Sequence, residues 1–285
     1  MLAPSLGSAG MRAVEIVEAD YEGRSQFKVT TASATWFYDK AGGGFSRLVD
    51  REGRDWISFH RETQSKSPAS AAASYRGIPN CVFGKENPDD GAGHPGFERC
   101  VSERVGLDSI RTTSKSGVWA WTWRFTDTHA LFTMEKADPA RAWWVLYEGS
   151  VAGRFAPREQ YWGTDQGGPR HETPDHLRKE DITGRWHWIY FGDRAVHRVL
   201  VIAPVAGPSP GDVFSYMANT RAGILAPEAD GMVVFGFGRG TTLGAASLRG
   251  ARLQFVVGLL EAGVTDAAAH AAAAAQITEM INRVR

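Results

Sequence analysis

The chain has 285 residues, of which 43% are hydrophobic and 11% aromatic, so a sizeable core is feasible and global disorder is excluded. Lys plus Arg and Asp plus Glu both number 32, which gives zero formal net charge. That balance argues against nucleic acid or an anionic membrane as a partner, because both bind basic surfaces. No apolar run approaches the roughly 20 residues needed to cross a bilayer.

Apolar and polar residues alternate with period two along most of the chain, which predicts β-strands. The first four such runs are separated by glycine or charged turns and span residues 13–20, 26–31, 35–40 and 45–50. Eight more follow at 109–115, 118–125, 130–136, 142–149, 185–192, 197–204, 232–238 and 252–260. About a dozen strands without intervening helices are typical of an antiparallel sandwich or barrel, not of βαβ winding.

The two ends of the chain depart from this pattern. Residues 1–12 are too short and too weakly apolar for an intact secretion signal, so we expect a disordered start or the remnant of a processed leader. The Ala-rich segment 265–284 begins with Thr-Asp, a suitable N-cap, and ends in Arg residues, which predicts one terminal helix. No linker or repeat divides the chain, so a single β-sandwich domain over residues 1–285 is expected.

The two cysteines, Cys81 and Cys100, enclose a segment of about twenty residues. A disulfide between them would stabilise the chain by roughly 3 kcal/mol and is typical of an oxidising compartment. Two unpaired thiols are the alternative. The disulfide is slightly favoured, and with it a periplasmic or secreted location.

The run VWAWTWRF places Trp119, Trp121 and Trp123 on one face of a strand, because side chains alternate along it. Flat indole rings in a row form either a packed core between sheets or a platform on which a sugar ring stacks. The core interpretation is favoured about two to one.

Two long polar loops carry most of the candidate functional groups. The first spans residues 74–99, and its candidates are Tyr75, Arg76, Asn80 and His94. The second spans residues 158–176, and its candidates are Arg158, Tyr161, Trp162, Asp165 and His171. Long ordered loops on a β scaffold are usually functional. Three further substrate contacts are predicted beyond these loops, at His187, Tyr190 and Arg239.

The run AWWVLYEG supplies the first carboxylate candidate, Glu148. It shares one face of its strand with Trp144 and Leu146, so partial burial is expected to raise its pKa, as a general acid requires. The alternative is an ion pair with Arg124 or Arg154, or hydrogen bonds between Glu148 and the backbone at a strand end.

The residue types in the two loops are those that β-elimination of a uronate requires. Arg76, Asn80 and Arg158 are suited to hold and neutralise the carboxylate. His94 and Tyr161 then serve as base and acid. We therefore expect a carbohydrate-active enzyme that cleaves a uronate-containing poly- or oligosaccharide, with His94, Tyr161 and Glu148 as catalytic residues.

Other functions remain open. A glycoside hydrolase would pair Glu148 with Asp165 or Glu159. A sugar mutarotase or epimerase is a third possibility, and a non-catalytic sugar-binding module with Trp and Tyr platforms is a fourth.

No cofactor is expected, since zinc-protease, phosphate-loop, dinucleotide and GxSxG motifs are all absent. A divalent cation is a minor alternative. It would be held by His171, Asp175 and His176 together with His94, or by oxygens of the run KENPDD.

Several sequence segments resemble those of a known superfamily: TWFYDKAGGGFSRLVDREGRDWISF, SYRGIPN, GHPGF, WWVLYEG, WIYFGD and MVVFGFGR. They are similar to uncharacterised bacterial carbohydrate-active proteins and to the galactose-mutarotase-like β-supersandwich, which includes sugar epimerases, polysaccharide-lyase domains and some glycosidase domains. The resemblance covers roughly residues 27–240. It implies an all-β antiparallel supersandwich with one C-terminal helix.

The same resemblance bears on the activity. Mutarotases of this fold use a His and a Glu near the C-terminal end of the chain. Glu261 is the only carboxylate near a strand in that part of this sequence, and the residues that flank it do not resemble an active site. Related lyases use Tyr and His with an Asn or Arg, roles that Tyr161, His94, Asn80 and Arg76 are suited to fill. The resemblance therefore favours the lyase interpretation.

Overall fold

A computed structural model describes residues 14–61, 72–208, 210–240 and 246–285. Within these ranges the chain forms seventeen β-strands in three antiparallel sheets, together with two α-helices. The prediction for residues 1–12 lies outside the described residues. The first sheet contains, in order, β1 (Glu15–Tyr21), β2 (Arg24–Thr30), β3 (Ala34–Asp39) and β4 (Gly44–Asp50). The short helix α1 (Ala72–Tyr75) precedes the remaining strands.

The second sheet has nine strands. In chain order they are β5 (Cys100–Val105), β6 (Ser109–Ser114), β7 (Ala120–Phe125), β8 (His129–Lys136), β10 (Gln160–Thr164), β11 (Gly167–Arg170), β13 (Ile189–Asp193), β14 (Val199–Pro204) and β17 (Gln254–Leu260). Their spatial order is β11-β10-β13-β14-β17-β8-β7-β6-β5. This sheet is the wide wall of the sandwich.

The third sheet contains β9 (Val145–Gly149), β12 (Ile182–Gly184), β15 (Asp212–Ala218) and β16 (Gly231–Phe237), in the spatial order β12-β15-β16-β9. One hydrophobic core lies between the sheets, because alternate side chains of every sheet point inward. The third sheet contributes Val145 and Tyr147 from β9 and Phe235 from β16 to that core.

The tryptophan run on β7 belongs to this core. Trp119, just before β7, has no solvent exposure, and neither do Trp121 and Trp123. The rings of Trp121 and Trp123 pack against Phe132, and Trp123 also packs against Phe45. The packed-core interpretation is therefore confirmed, and these indoles form no sugar platform.

The terminal helix α2 spans Ala267–Asn282, as the sequence predicts. The Asp266 side chain caps it by accepting a hydrogen bond of 2.8 Å from the backbone N–H of Ala269. Ala273 and Ile277 pack against the outer face of the second sheet, where they contact residues of β10, β13 and β14. The all-β sandwich with one C-terminal helix is confirmed.

The expected disulfide is wrong. Cys81 and Cys100 are both buried free thiols, and burial raises the pKa of each. Each packs against the backbone of a glycine: a Cβ on Gly93 would lie 2.7 Å from the sulfur of Cys81, and one on Gly43 would lie 2.8 Å from that of Cys100. They fill space in the core, and the periplasmic or secreted location stays a prediction without them.

The aromatic core gives a direct test of stability. Replacing Trp123 by Ala leaves a cavity among Phe45 and Phe132, so we expect the free energy of unfolding to fall by about 3–5 kcal/mol. Urea denaturation measures this change. The exposed Val101→Ala serves as the control and should change stability by less than about 0.5 kcal/mol. Equal stability of the two variants would contradict the core assignment.

Candidate functional site

The loop after α1 is ordered because its backbone pairs with the edge of β9. The N–H of Gly77 donates to the carbonyl of Glu148 at 2.6 Å, and the N–H of Glu148 donates back at 3.1 Å. The N–H of Leu146 donates to the carbonyl of Pro79 at 2.7 Å. Residues 77–81 therefore extend the third sheet, and they hold Asn80 beside the side chains of β9.

A glycine turn brings the other half of the same loop into place. A Cβ on Gly42 would lie 2.3 Å from the carbonyl oxygen of His94, and one on Gly44 would lie 2.2 Å from that of Gly93. Both positions thus require glycine for close backbone approach. The AGGG turn that separates β3 from β4 consequently fixes the HPG segment of the loop.

A cavity of about 390 Å³ lies between this loop and the outer face of the third sheet. Its polar and charged lining residues are Asn80, Asp90, His94, Glu148, His176 and Arg239. Aromatic and apolar side chains from the loop and the sheet complete the wall. A concave, mostly apolar pocket with a few convergent polar groups is the usual form of a small-molecule site.

Glu148 is the buried carboxylate of this cavity, with 9% of its surface exposed. Its Oε2 accepts a hydrogen bond of 2.6 Å from Nδ2 of Asn80, which stands in the left-handed region at φ 44°. Burial raises the pKa of Glu148, although Arg239 and Asn80 both favour the charged form. The predicted partial burial and raised pKa are confirmed. The alternative partner Arg154 pairs with Asp193 instead.

His176 is a second proton-carrying group at the cavity. Its Nδ1 lies 2.9 Å from Oδ1 of Asp181, which also accepts a hydrogen bond of 2.6 Å from Ser215. A carboxylate at Nδ1 fixes the neutral tautomer with its proton on Nδ1, leaving Nε2 as an acceptor. Among the residues that the structure describes, Nε2 has no hydrogen-bond partner. The imidazole is therefore arranged as a base.

Arg239 lines the cavity with only 7% of its surface exposed. Its Nε and Nη1 atoms are enclosed and have no hydrogen-bond partner among the described residues. Burial lowers the pKa of this guanidinium, while the nearby charges of Glu148 and Asp181 raise it. Such an unpartnered buried cation is rare in folded proteins.

His94 also lines the cavity, but its ring nitrogens face backbone carbonyls. Nδ1 contacts the oxygen of Pro95, and Nε2 lies 3.0 Å from the oxygen of Tyr75. Burial lowers the pKa of His94 to about 4, so the ring is neutral at neutral pH. These contacts favour a positioning role in which His94 ties the loop to Tyr75.

Three predicted site residues lie in the second sheet, away from the cavity. The hydroxyl of Tyr161 accepts a hydrogen bond of 3.0 Å from the N–H of Val264, and that of Tyr190 lies 2.8 Å from Nδ1 of His270, both under α2. Trp162 points inward and is part of the core. The expectation that Tyr161 shares a pocket with His94 is wrong, because the whole core separates the two outer faces.

Of the remaining predicted contacts, Tyr75 lines the cavity, whereas Arg76, Arg158, His171 and His187 lie outside it. Arg76 is buried, but it donates to the backbone carbonyls of Ser58 and Gly231 and to Asp230. It therefore anchors the loop to β16. The others, Arg158, His171 and His187, are exposed, and none of them is among the lining residues.

The hydrolase pairing is likewise not assembled. Asp165 accepts a hydrogen bond of 2.9 Å from the N–H of His187, and Glu159 faces Arg194 at 3.9 Å. Neither carboxylate lines the cavity that contains Glu148.

No group of three or more His, Cys, Asp or Glu side chains among the described residues is arranged to hold a metal ion. No helix in the same ranges is both long and apolar enough to cross a membrane.

Comparisons with solved structures define the fold class. The chain resembles the protein HI1317, with 12% identity, a TM-score of 0.51 and coverage of 86% of this chain and 96% of that one. It also resembles the candidate mutarotase YeaD from Salmonella typhimurium, with 8% identity, a TM-score of 0.50 and coverage of 88% and 97%. A galactose mutarotase-like protein from Lactobacillus casei matches at 9% identity and a TM-score of 0.47, over 86% of this chain and 100% of that one.

The likenesses to HI1317 and YeaD show that the chain shares their antiparallel β-sandwich fold. No family model and no curated protein matches the chain. The fold is therefore established, and the chemistry has to be argued from the cavity itself.

The raised pKa of Glu148 predicts a pH-dependent effect on stability. The native state binds this proton more tightly than the unfolded chain, so the carboxyl costs stability as pH rises through and above the ordinary Glu range. The free energy of unfolding of Glu148→Gln, minus that of the wild type, should therefore be larger at about pH 8 than at about pH 4. Urea denaturation at both pH values measures the difference.

The exposed Glu159→Gln is the matched control for removing one carboxylate. If the free energy of unfolding of Glu148→Gln, minus that of the wild type, became smaller as pH rises, the raised pKa of Glu148 would be contradicted.

Proposed function

We propose that the protein is a mutarotase-type enzyme that interconverts the α and β anomers of an aldose. One observation carries the proposal: the buried carboxyl of Glu148 and the Asp181-held imidazole of His176 line the same cavity. A carboxyl group and an imidazole at one cavity can serve as acid and base at one substrate. YeaD, which shares the fold, is itself described as a candidate mutarotase.

Ring opening needs one proton removed and one delivered. Nε2 of His176 takes the proton from the C1 hydroxyl, the C1–O5 bond breaks as the C1 carbonyl forms, and Glu148 gives its proton to O5. Rotation about C1–C2 presents the other face of the aldehyde. Reclosure returns the proton of O5 to Glu148 and that of His176 to the new C1 hydroxyl, so no net change occurs in the enzyme.

The protonation states required follow from the surroundings of each group. Burial raises the pKa of Glu148 and so increases its protonated fraction. Oε2 is held by Asn80, which leaves Oε1 to carry the proton. Asp181 keeps the proton of His176 on Nδ1 and stabilises the imidazolium that forms during ring opening.

An aromatic wall suits a sugar ring. Phe83 and Trp144 stack with ring centroids 5.2 Å apart at an interplanar angle of 25°, and both line the cavity. The indole is fixed by its N–H, which donates to the carbonyl of Asn80 at 2.6 Å. Phe83 remains 59% exposed, so its face is available to the C–H-rich side of a pyranose.

The other functions have less support. β-Elimination would require Tyr161 as the acid, but the hydroxyl of Tyr161 lies beneath α2. It would also require Arg76 or Arg158 as the neutralising cation, and neither lines the cavity. Hydrolysis required a second carboxylate, Asp165 or Glu159, next to Glu148. A mutarotase needs only the two groups that the cavity already contains.

Substitution of the two proposed proton carriers tests the mechanism. Glu148→Gln and His176→Gln should each lower the catalysed rate of anomer exchange by roughly 10²-fold or more, since positioned acids and bases contribute about that much. Polarimetry after dissolving a single anomer, or NMR exchange at equilibrium, measures this rate against the spontaneous one.

Glu159→Gln and His187→Gln are the matched controls, because both side chains are exposed and lie outside the cavity. They should retain full activity. Retention of activity in Glu148→Gln, or appearance of an unsaturated uronate from a glycan, would contradict the mutarotase proposal.

A further inference from the structure

We propose that the substrate is a monoanionic sugar, a uronate whose carboxylate is bound by Arg239. This inference rests on the proposed anomer exchange, because it names the substrate class of the same cavity. It adds a specificity residue to the two proton carriers.

The first support is the state of Arg239 itself. This residue is more than nine-tenths buried at the cavity, and two of its nitrogens have no hydrogen-bond partner among the described residues. A buried guanidinium left in this state is costly unless a ligand supplies the missing acceptors. The planar fork of Arg matches the two oxygens of a carboxylate.

The second support is that the neighbouring acid does not satisfy this cation. No ion pair with a nitrogen–oxygen distance of 4.0 Å or less joins Arg239 to Glu148, two described residues, although their charges interact. Burial shifts Glu148 towards its neutral form, which leaves the positive charge of Arg239 with less compensation. The second arginine of this region, Arg76, is already used by Asp230 and two backbone carbonyls.

The charges around the cavity favour one negative charge on the ligand over two. Among the described residues that line the cavity, Arg239 is the only Arg or Lys, whereas Asp90 and Glu148 also line it and Asp181 lies behind His176. A phosphate dianion would keep one uncompensated charge close to these acids, which is unfavourable at low dielectric. A carboxylate needs only the single guanidinium.

Anomer exchange measured on three kinds of sugar tests the inference. The set is galacturonate and glucuronate, the neutral parents galactose and glucose, and glucose 6-phosphate. We expect kcat/KM for the uronates to exceed that for the neutral sugars by roughly 10- to 100-fold, as a charge-assisted hydrogen bond contributes. Glucose 6-phosphate should be no better than glucose.

Substitution of Arg239 connects this preference to the residue. Arg239→Gln should reduce the ratio of kcat/KM for uronate over neutral sugar by roughly tenfold or more. Arg239→Lys, which keeps the charge but loses the fork, should reduce the ratio less. Arg185→Gln, an exposed arginine outside the cavity, is the control and should leave the ratio unchanged. Circular dichroism and urea denaturation establish that each variant is folded.

The outcomes separate this inference from the proposed function. Equal exchange of uronate and neutral sugars, a preference for glucose 6-phosphate, or a ratio unaffected by Arg239→Gln would overturn the uronate assignment while leaving mutarotase activity intact. Absence of exchange with every sugar would overturn the mutarotase proposal. In that case calorimetric binding of galacturonate decides the inference, which stands only if Arg239→Gln abolishes the binding and Arg185→Gln does not.

Discussion

The cavity depends on the backbone pairing between residues 77–81 and the edge strand β9. Hydrogen bonds between Gly77 and Glu148 and from Leu146 to Pro79 convert a polar loop into an added strand of the third sheet. This pairing satisfies the exposed edge of β9, which would otherwise offer unpaired N–H and C=O groups. It also places the side chain of Asn80 against the carboxyl of Glu148, so the catalytic candidate and its positioning residue come from one ladder.

Different elements pack on the outer faces of the second and third sheets. On the second sheet α2 covers the face that presents Tyr161 and Tyr190, and their hydroxyls are used by Val264 and His270. On the third sheet the corresponding face is covered only in part, by the loop that pairs with β9, and the cavity forms beneath that loop. The same strand alternation therefore buries Tyr161 and Tyr190 beneath α2 and places Glu148 at the cavity.

Much of the fold and part of the site follow from the sequence, for a physical reason. Period-two alternation sets which residues share a face of a strand, so the grouping of Trp123 with Trp119 and Trp121, and that of Glu148 with Trp144 and Leu146, can be read from spacing alone. The cap at Asp266 is equally local. The outer face that a loop covers depends on which strands share a sheet. Long-range pairing puts β10 and β13 in the second sheet and β9, β12, β15 and β16 in the third, and such pairing leaves no periodic pattern in the sequence. The predicted position of Tyr161 is wrong for that reason.

The acid-base assignment and the unpartnered cation have a common electrostatic origin. Desolvation at this cavity opposes both charges: it raises the pKa of Glu148 and lowers that of Arg239, while their mutual attraction only partly offsets each shift. A direct ion pair would have lowered the cost of burying both groups but would have fixed Glu148 as a carboxylate. Instead, Asn80 donates a hydrogen bond to Glu148, and two nitrogens of the guanidinium have no hydrogen-bond partner among the described residues. Occupation by a carboxylate would then satisfy Arg239 and weaken its pull on Glu148, raising the protonated fraction of the acid in the bound state.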